Sequence, residues 1–323
     1  MMMLNILIAL AAGGASALMF ASIISGALIS LVLFYLAPLP LLVAALGWGP
    51  VSALIGAVAA GAGLGLAFGL TYFLAFVVTV GLPAFWLGHL TLLAKPAATS
   101  DGVAPADPDA LDWYPPGRLL LWVAVFAALI TMSALFTLGS DAETISAELR
   151  RGLARIIGAR DGTAPNTDTD RMLDMVTQVA PAAATLVAMI TLTLNLWLSG
   201  KIVAMSGRLR RPWPYLPAVE LPPLTLMALA VALALSFASG IAAMLAQVVS
   251  TALLMAYMFV GFAVLHVAAS VSAGRWWWLL AAYGAVFIFG WPSLIVAMLG
   301  LLDSAIGLRR RLSNRAKPPT PST

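Results

Sequence analysis

The 323-residue chain contains no cysteine. Disulfides, thiolate metal sites and cysteine nucleophiles are excluded with it. Charge is scarce: 9% of residues are charged and 62% are hydrophobic, with a mean hydropathy of +1.00. A soluble domain of this size needs far more charge on its water-facing surface. Apolar runs of about 20 residues, enough to cross a bilayer core, instead recur along nearly the whole chain. The sequence therefore reads as an all-α, polytopic transmembrane helix bundle. Histidine is nearly as rare, with two residues and no HExxH pattern, which argues against a zinc hydrolase. Lys and Arg are missing from "MMMLNILIAL", so the charged part of a signal peptide is lacking and the first apolar run is expected to stay as a span. A Walker A motif is also lacking. "SGKIV", Ser199 to Val203, has the Gly-Lys pair without the upstream glycine or the following Ser or Thr, so ATP-driven work would need a separate ATPase.

Apolar patterning predicts spans at 4–29, 31–47, 51–69, 71–93, 118–138, 176–199, 223–245, 248–272 and 277–302, about eight or nine in all. Residues 1–93 form a front block of four spans. Residues 94–117 are rich in Pro, Ala and Asp and read as an exposed linker. A rear block covers 118–308, and 309–323 is a basic tail read as disordered. Within the rear block, 141–159 is expected to form an amphipathic helix. Ser140 with Glu143 fits a capping box, and Ile145, Leu149, Leu153, Ile156 and Ile157 share a face flanked by Arg150, Arg151 and Arg155. It reads either as a helix on the membrane surface or as a solvated connector.

The net charge of +4 and pI of 9.7 come largely from short basic clusters beside apolar runs, the pattern of cytoplasmic loops rather than of nucleic-acid binding. Two clusters, Lys201 with Arg208, Arg210 and Arg211, and the tail "LRRRLSNRAK", both look cytoplasmic. Three spans between them would put them on opposite sides. A break at "FGWPS", Phe289 to Ser293, would reconcile them.

Small residues repeat every four positions in the first span (Ala9, Gly13, Ala17, Ala21, Ser25) and in the third (Ala53, Ala57, Gly61, Gly65, Gly69). Such stripes are helix-docking faces, for packing inside the bundle or onto a separate subunit. Between them lies "YLAPLPLLVAALGWGP". Pro38 and Pro40 remove backbone donors within the second span, and Gly47, Trp48, Gly49 and Pro50 stop it early. Broken helices of this kind mark ligand sites in many transporters. Pro38, Pro40 and Trp48 are therefore candidate ligand contacts.

The small-residue first span, the turn "ALGWGP" and the following "VSALIGAVAAGAGLGLAFG" make the front half resemble the S components of energy-coupling-factor vitamin transporters. In that family a Leu-Gly-x-Gly-Pro-like turn precedes a small-residue helix, and an Ala-x-x-x-Ala face docks the coupling subunit. Ala17 and Ala21 match that spacing. The chain is more similar to the YybS-like (DUF2232-type) family of bacterial membrane proteins, placed near those S components, which fits "TLTLNLWLSGKIV" and "MLGLLDSAIGLRRR". The resemblance implies a multi-pass protein of the bacterial inner (plasma) membrane, with a coupling subunit and an ATPase as partners and no cofactor.

Asn195 is the one amide well inside a predicted span, with Thr191 one turn earlier on the same face. It either bonds across helices or contacts a ligand with Thr191. Gln178 and Gln247 lie near span ends, where water can satisfy them. His89 and His266 have no acidic partner along their helices and read as packed or interfacial residues, with proton transfer the sharper alternative. Asp303 reads as a partner for a basic loop residue. Trp276 to Trp278, Trp213 and Tyr215 fit interfacial belts. No acidic or histidine pair sits at catalytic spacing inside a span, so neither a catalytic nor a metal site is expected. The chain reads as a solute-binding transport component or, in a second class, as a membrane scaffold or assembly factor without a solute.

Overall fold

The computed structural model describes residues 2–96, 111–156, 167–270 and 274–315. In chain order these form α1 (Met2–Ala21), α2 (Leu28–Leu36), α3 (Pro38–Trp48), α4 (Pro50–Phe68), α5 (Leu70–Phe76), α6 (Leu82–Thr91), β1 (Ala94–Pro96), β2 (Leu111–Trp113), α7 (Pro116–Phe136), α8 (Ala142–Ile156), α9 (Thr167–Met205), α10 (Leu224–Leu235), α11 (Gly240–Ser270), α12 (Arg275–Phe289), α13 (Pro292–Ile306) and α14 (Leu308–Arg315). Among the described residues seven helical stretches are long and apolar enough to cross a membrane: Met2–Ser25, Leu28–Trp48, Pro50–Phe68, Leu70–Thr91, Pro116–Leu138, Asp168–Met205 and Gly240–Ser270. The protein is an all-α multi-pass bundle, as its hydropathy implies.

Boundaries differ from the apolar pattern wherever a turn is hidden in apolar sequence. The first run breaks at Gly26, so α2 starts at Leu28. The predicted spans 223–245 and 248–272 divide instead at Ser236–Gly240, leaving a 12-residue α10 and a 31-residue α11. The sixth span is a 39-residue helix that passes through Pro181. The final run is broken at Gly290, whose φ of 70° favours glycine. It leaves two 15-residue helices, each about 22 Å long and too short to cross alone. The linker is not wholly irregular. Its ends pair as β1 and β2, antiparallel, with Lys95 opposite Asp112; residues 97–110 lie outside the described part. The amphipathic helix is α8, capped by Asp141 rather than Ser140. Asp141 Oδ1 accepts from the Thr144 backbone N–H and Oδ2 from the Thr144 hydroxyl, both at 2.8 Å. Ile157, assigned to its apolar face, lies outside the described residues, as does the tail beyond 315.

The chain forms two compact units: Met1–Pro115 with Ala188–Pro214, and Pro116–Val187 with Tyr215–Thr323. In the first, α1 packs on α4 so closely that a Cβ on Gly13 would overlap the Gly56 carbonyl, and one on Gly56 the Ala9 carbonyl. Gly49, at φ 101°, lets α3 pass directly into α4 with Pro50 at the first helical position. The chain then continues through α5 and α6, joined by a π-helical turn at Val77–Gly81. Pro83 removes the donor that the Thr79 carbonyl would otherwise have, which favours this local widening.

The second unit is built around α11. Tyr257 is fully buried, and its hydroxyl shares a hydrogen bond with Thr225 at 2.6 Å. α13 lies against α11 through facing glycines: a Cβ on Gly261 would overlap the Val296 carbonyl, and one on Gly300 the Tyr257 carbonyl. Asp303 and Arg309 form a buried ion pair at 2.7 Å, and Arg309 also donates to the Pro217 carbonyl at 2.6 Å. Arg309, at the head of the tail, therefore sits against residue 217. An unbroken last span would have separated them.

Candidate functional site

The proline break in α2–α3 is closed by the protein itself. The Asn195 amide donates to the Tyr35 carbonyl at 2.8 Å and to the Thr191 carbonyl at 2.7 Å, while the Ser16 hydroxyl donates to the Ala37 carbonyl. Asn195 is fully buried and its Oδ1 has no partner. Pro38 is buried, Pro40 and Thr191 are half-buried, and Trp48 lies under the Arg208 guanidinium at 4.8 Å. Asn195, Thr191 and the Pro38 end of α3 thus meet around the Tyr35 carbonyl, and Trp48 belongs to a separate basic and aromatic group. That group includes Lys201 over Trp213 at 4.1 Å and over Trp197 at 5.9 Å.

The small-residue stripes meet partners inside the first unit. Ala9 and Gly13 are buried at Gly56, and Ala17 and Ala21 are half-buried. Gly61 and Gly65 face Phe73, and Ala57 faces Gly81. His89 stacks on Phe85, and His266 Nδ1 lies 2.9 Å from the Phe262 carbonyl. Trp276, Trp277 and Trp278 are all exposed. Among the described residues no group of three or more His, Asp or Glu is placed to hold a metal ion.

Arg211 has a role that its sequence context does not reveal. It is buried and donates to the carbonyls of Thr91 at 3.2 Å and Tyr114 at 2.9 Å. Thr91 ends α6, so the guanidinium satisfies a terminal carbonyl and meets the negative end of the helix dipole. Burial pulls its pKa below the ordinary arginine value.

A polar concavity lies in the second unit, among residues that hydropathy treats as span ends. This open cavity of about 580 Å³ is lined by α8, residues 174–181 of α9, residues 243–250 of α11, and Ser236. Its volume suits a small molecule. Ser146 and Arg150 enter from α8, Asp174, Thr177 and Gln178 from α9, and Gln247 from α11. Arg150 Nε donates to Asp174 Oδ1 at 2.9 Å, and an Arg150 terminal nitrogen donates to Asp170 Oδ1 at 2.7 Å. The hydrogen bonds to Asp174 first, then Asp170, hold the Arg150 pKa above its usual value. The pairs remain exposed to solvent, with 42% of the Arg150 side chain accessible, and ion pairs of this kind add little net stability.

Thr177 is the exception to this solvated picture. It is 9% exposed, and its hydroxyl has no hydrogen-bond partner. Pro181, one turn on, cannot donate to the Thr177 carbonyl. Gln178, exposed to water as its place near a span end implies, and half-buried Gln247 line the same concavity. Their signal was available: 174, 177, 178 and 181 fall on one face of α9, and 243, 247 and 250 on one face of α11.

The chain matches a family described as a predicted membrane protein, DUF2232, over residues 15–304, a stretch that covers most of each compact unit and all the residues lining the cavity. Neither a curated protein nor a solved structure matches it. The chain belongs to the DUF2232 family of predicted membrane proteins.

Proposed function

We propose that this protein is a solute-binding component of membrane transport and that its solute occupies the cavity under α8. The carrying observation is that cavity: it has the volume of a small-molecule site and a lining that mixes polar and apolar residues. The S-component likeness of the front half agrees with this reading, and ATP-driven transport by a chain that lacks a Walker A motif would need a separate ATPase. Binding here involves no bond-making. The one carboxylate among the lining residues, Asp174, is engaged by Arg150 and is not a free general base.

The cavity lies under α8, which follows the C-terminal end of the candidate span Pro116–Leu138, whereas Gly117 at the other end of that span packs on the Glu220 carbonyl, close in the chain to the Arg309–Pro217 contact. By the positive-inside rule the basic end is cytoplasmic, so in a bacterial plasma membrane the cavity faces outward and captures solute from outside. A scaffold without a solute is the second reading. It draws on the first unit, where Asn195 and Ser16 are used within the fold.

The cysteine-free chain allows a direct test. Gln247→Cys, expressed in intact cells, should react with a membrane-impermeant maleimide, and a concentrated metabolite extract should slow the reaction. Labelling only after permeabilisation would reverse the orientation. No protection, together with no small molecule co-purifying from native membranes, would remove the solute reading and favour the scaffold.

A further inference from the structure

The charge balance at the cavity is uneven. Arg150 is held by two carboxylates, Asp170 and Asp174. The neighbouring Glu148 and Arg151 pair with each other at 2.6 Å. Arg150 with its two carboxylates therefore carries one net negative charge, with Arg150 and Asp174 at the cavity lining and Asp170 behind Arg150. The remaining polar lining is neutral: Ser146, Gln178 and Gln247 can each donate or accept and do not offset that charge. An anion entering here would meet net negative charge and would have to strip Arg150 from two carboxylates. A cation would meet the contacts that Arg150 already makes.

We propose that the solute is an organic cation carrying a guanidinium or ammonium group, and that Arg150 is a tethered placeholder which this cation displaces from Asp174 and Asp170. The proposal rests on the solute-binding reading above. Arg150 suits the part because it is half-exposed and stands on α8, outside the seven candidate spans, so withdrawing it leaves the membrane-embedded packing intact. A guanidinium matches carboxylate geometry in two bonds, whereas an ammonium offers three donors from one point. Because the placeholder occupies the site most of the time, it weakens apparent affinity in proportion to its occupancy.

The test uses full-length protein in mild detergent, with methylguanidinium chloride as cationic probe, sodium acetate as anionic probe and sodium chloride to equalise ionic strength. Thermal unfolding is followed for wild type, Arg150→Ala, Arg150→Gln and the double variant Arg150→Ala with Asp174→Asn. Methylguanidinium should raise the Tm of both single variants saturably, with a midpoint about tenfold lower than for wild type. The double variant should lose the effect. If Arg150→Ala fails to fold, Arg150→Gln carries the comparison.

Stabilisation of wild type by acetate, lost in the Arg150 variants, would overturn the cation assignment and leave a solute site for anions. Equal responses of all variants to methylguanidinium would overturn the placeholder. If neither probe nor a cell metabolite extract shifts any folded variant, the solute-binding reading itself falls.

Discussion

Buried polar side chains in this protein divide into those with partners and those without, and substitution should separate the two kinds. Asn195→Ala removes two amide hydrogen bonds, one of which ties α9 to the Tyr35 carbonyl at the proline break. Interhelical hydrogen bonds in membrane proteins contribute about 0.6 and at most about 1.7 kcal/mol, so the Tm should fall by a few degrees. Thr177→Val keeps the shape and removes a hydroxyl that bonds nothing. Thermal unfolding should show a change within about 0.5 kcal/mol, or stabilisation. A loss above about 1 kcal/mol would mean that the hydroxyl is satisfied in the folded protein.

The glycines offer a similar contrast. Gly300→Val pushes Cβ into the Tyr257 carbonyl and must separate α13 from α11, an overpacking cost of about 1–3 kcal/mol. Gly284→Ala in α12 meets nothing within 4 Å and should be neutral or stabilising by up to about 1 kcal/mol through helix propensity. Denaturation midpoints of the two variants check both statements.

At the scale of elements, α8 is the most exposed to solution conditions, because a single side chain caps it. The bonds from the Thr144 backbone and hydroxyl hold the Asp141 pKa below its ordinary value of 3.8. A carboxylate with a depressed folded-state pKa stabilises fully above its unfolded value and loses that contribution as pH falls through the folded one. The first turn of α8 should therefore be intact from about pH 5 upward and loosen below about pH 4. Hydrogen exchange at residues 142–146 should report this, and Asp141→Ala should show the same loosening at neutral pH. No change in the variant would mean that buried Ile145 alone holds the helix start.

Several element boundaries were visible in the sequence because glycine and proline mark them: Gly49 and Pro50, and Gly290 before Pro292, stand at observed breaks. Others were not. The turn at Ser236–Gly240 is written in small residues around Phe237 that score as part of an apolar run, and α9 runs through Pro181 against its intrinsic propensity. Asp141 captured the capping position one residue from the expected Ser140, since it can bond both the backbone and the hydroxyl of Thr144.

For the whole molecule, the meeting of Arg309 with Pro217 predicts that the tail and the segment following Arg211 share a membrane face. A cytoplasm-dependent reporter fused after Thr323 should be active, and one inserted after Pro214 should be active as well. Opposite activities would show that the contact does not form in the membrane. Composition alone determined that the chain is a membrane-embedded helical bundle, because so few charges cannot solvate a surface and runs of about 20 apolar residues have few other uses. Local punctuation determined the front half of the helix order. Only the tertiary structure decided which polar residues are spent on packing and which face a cavity. Asn195, alone in an apolar run, reads as either an interhelical bond or a ligand contact; its amide bonds the Tyr35 carbonyl across helices, while its Oδ1 has no partner. Gln178, Gln247 and Thr177 looked unremarkable because their shared space is lined by three helices from distant parts of the chain, and hydropathy along one helix carries no record of what the others place opposite it.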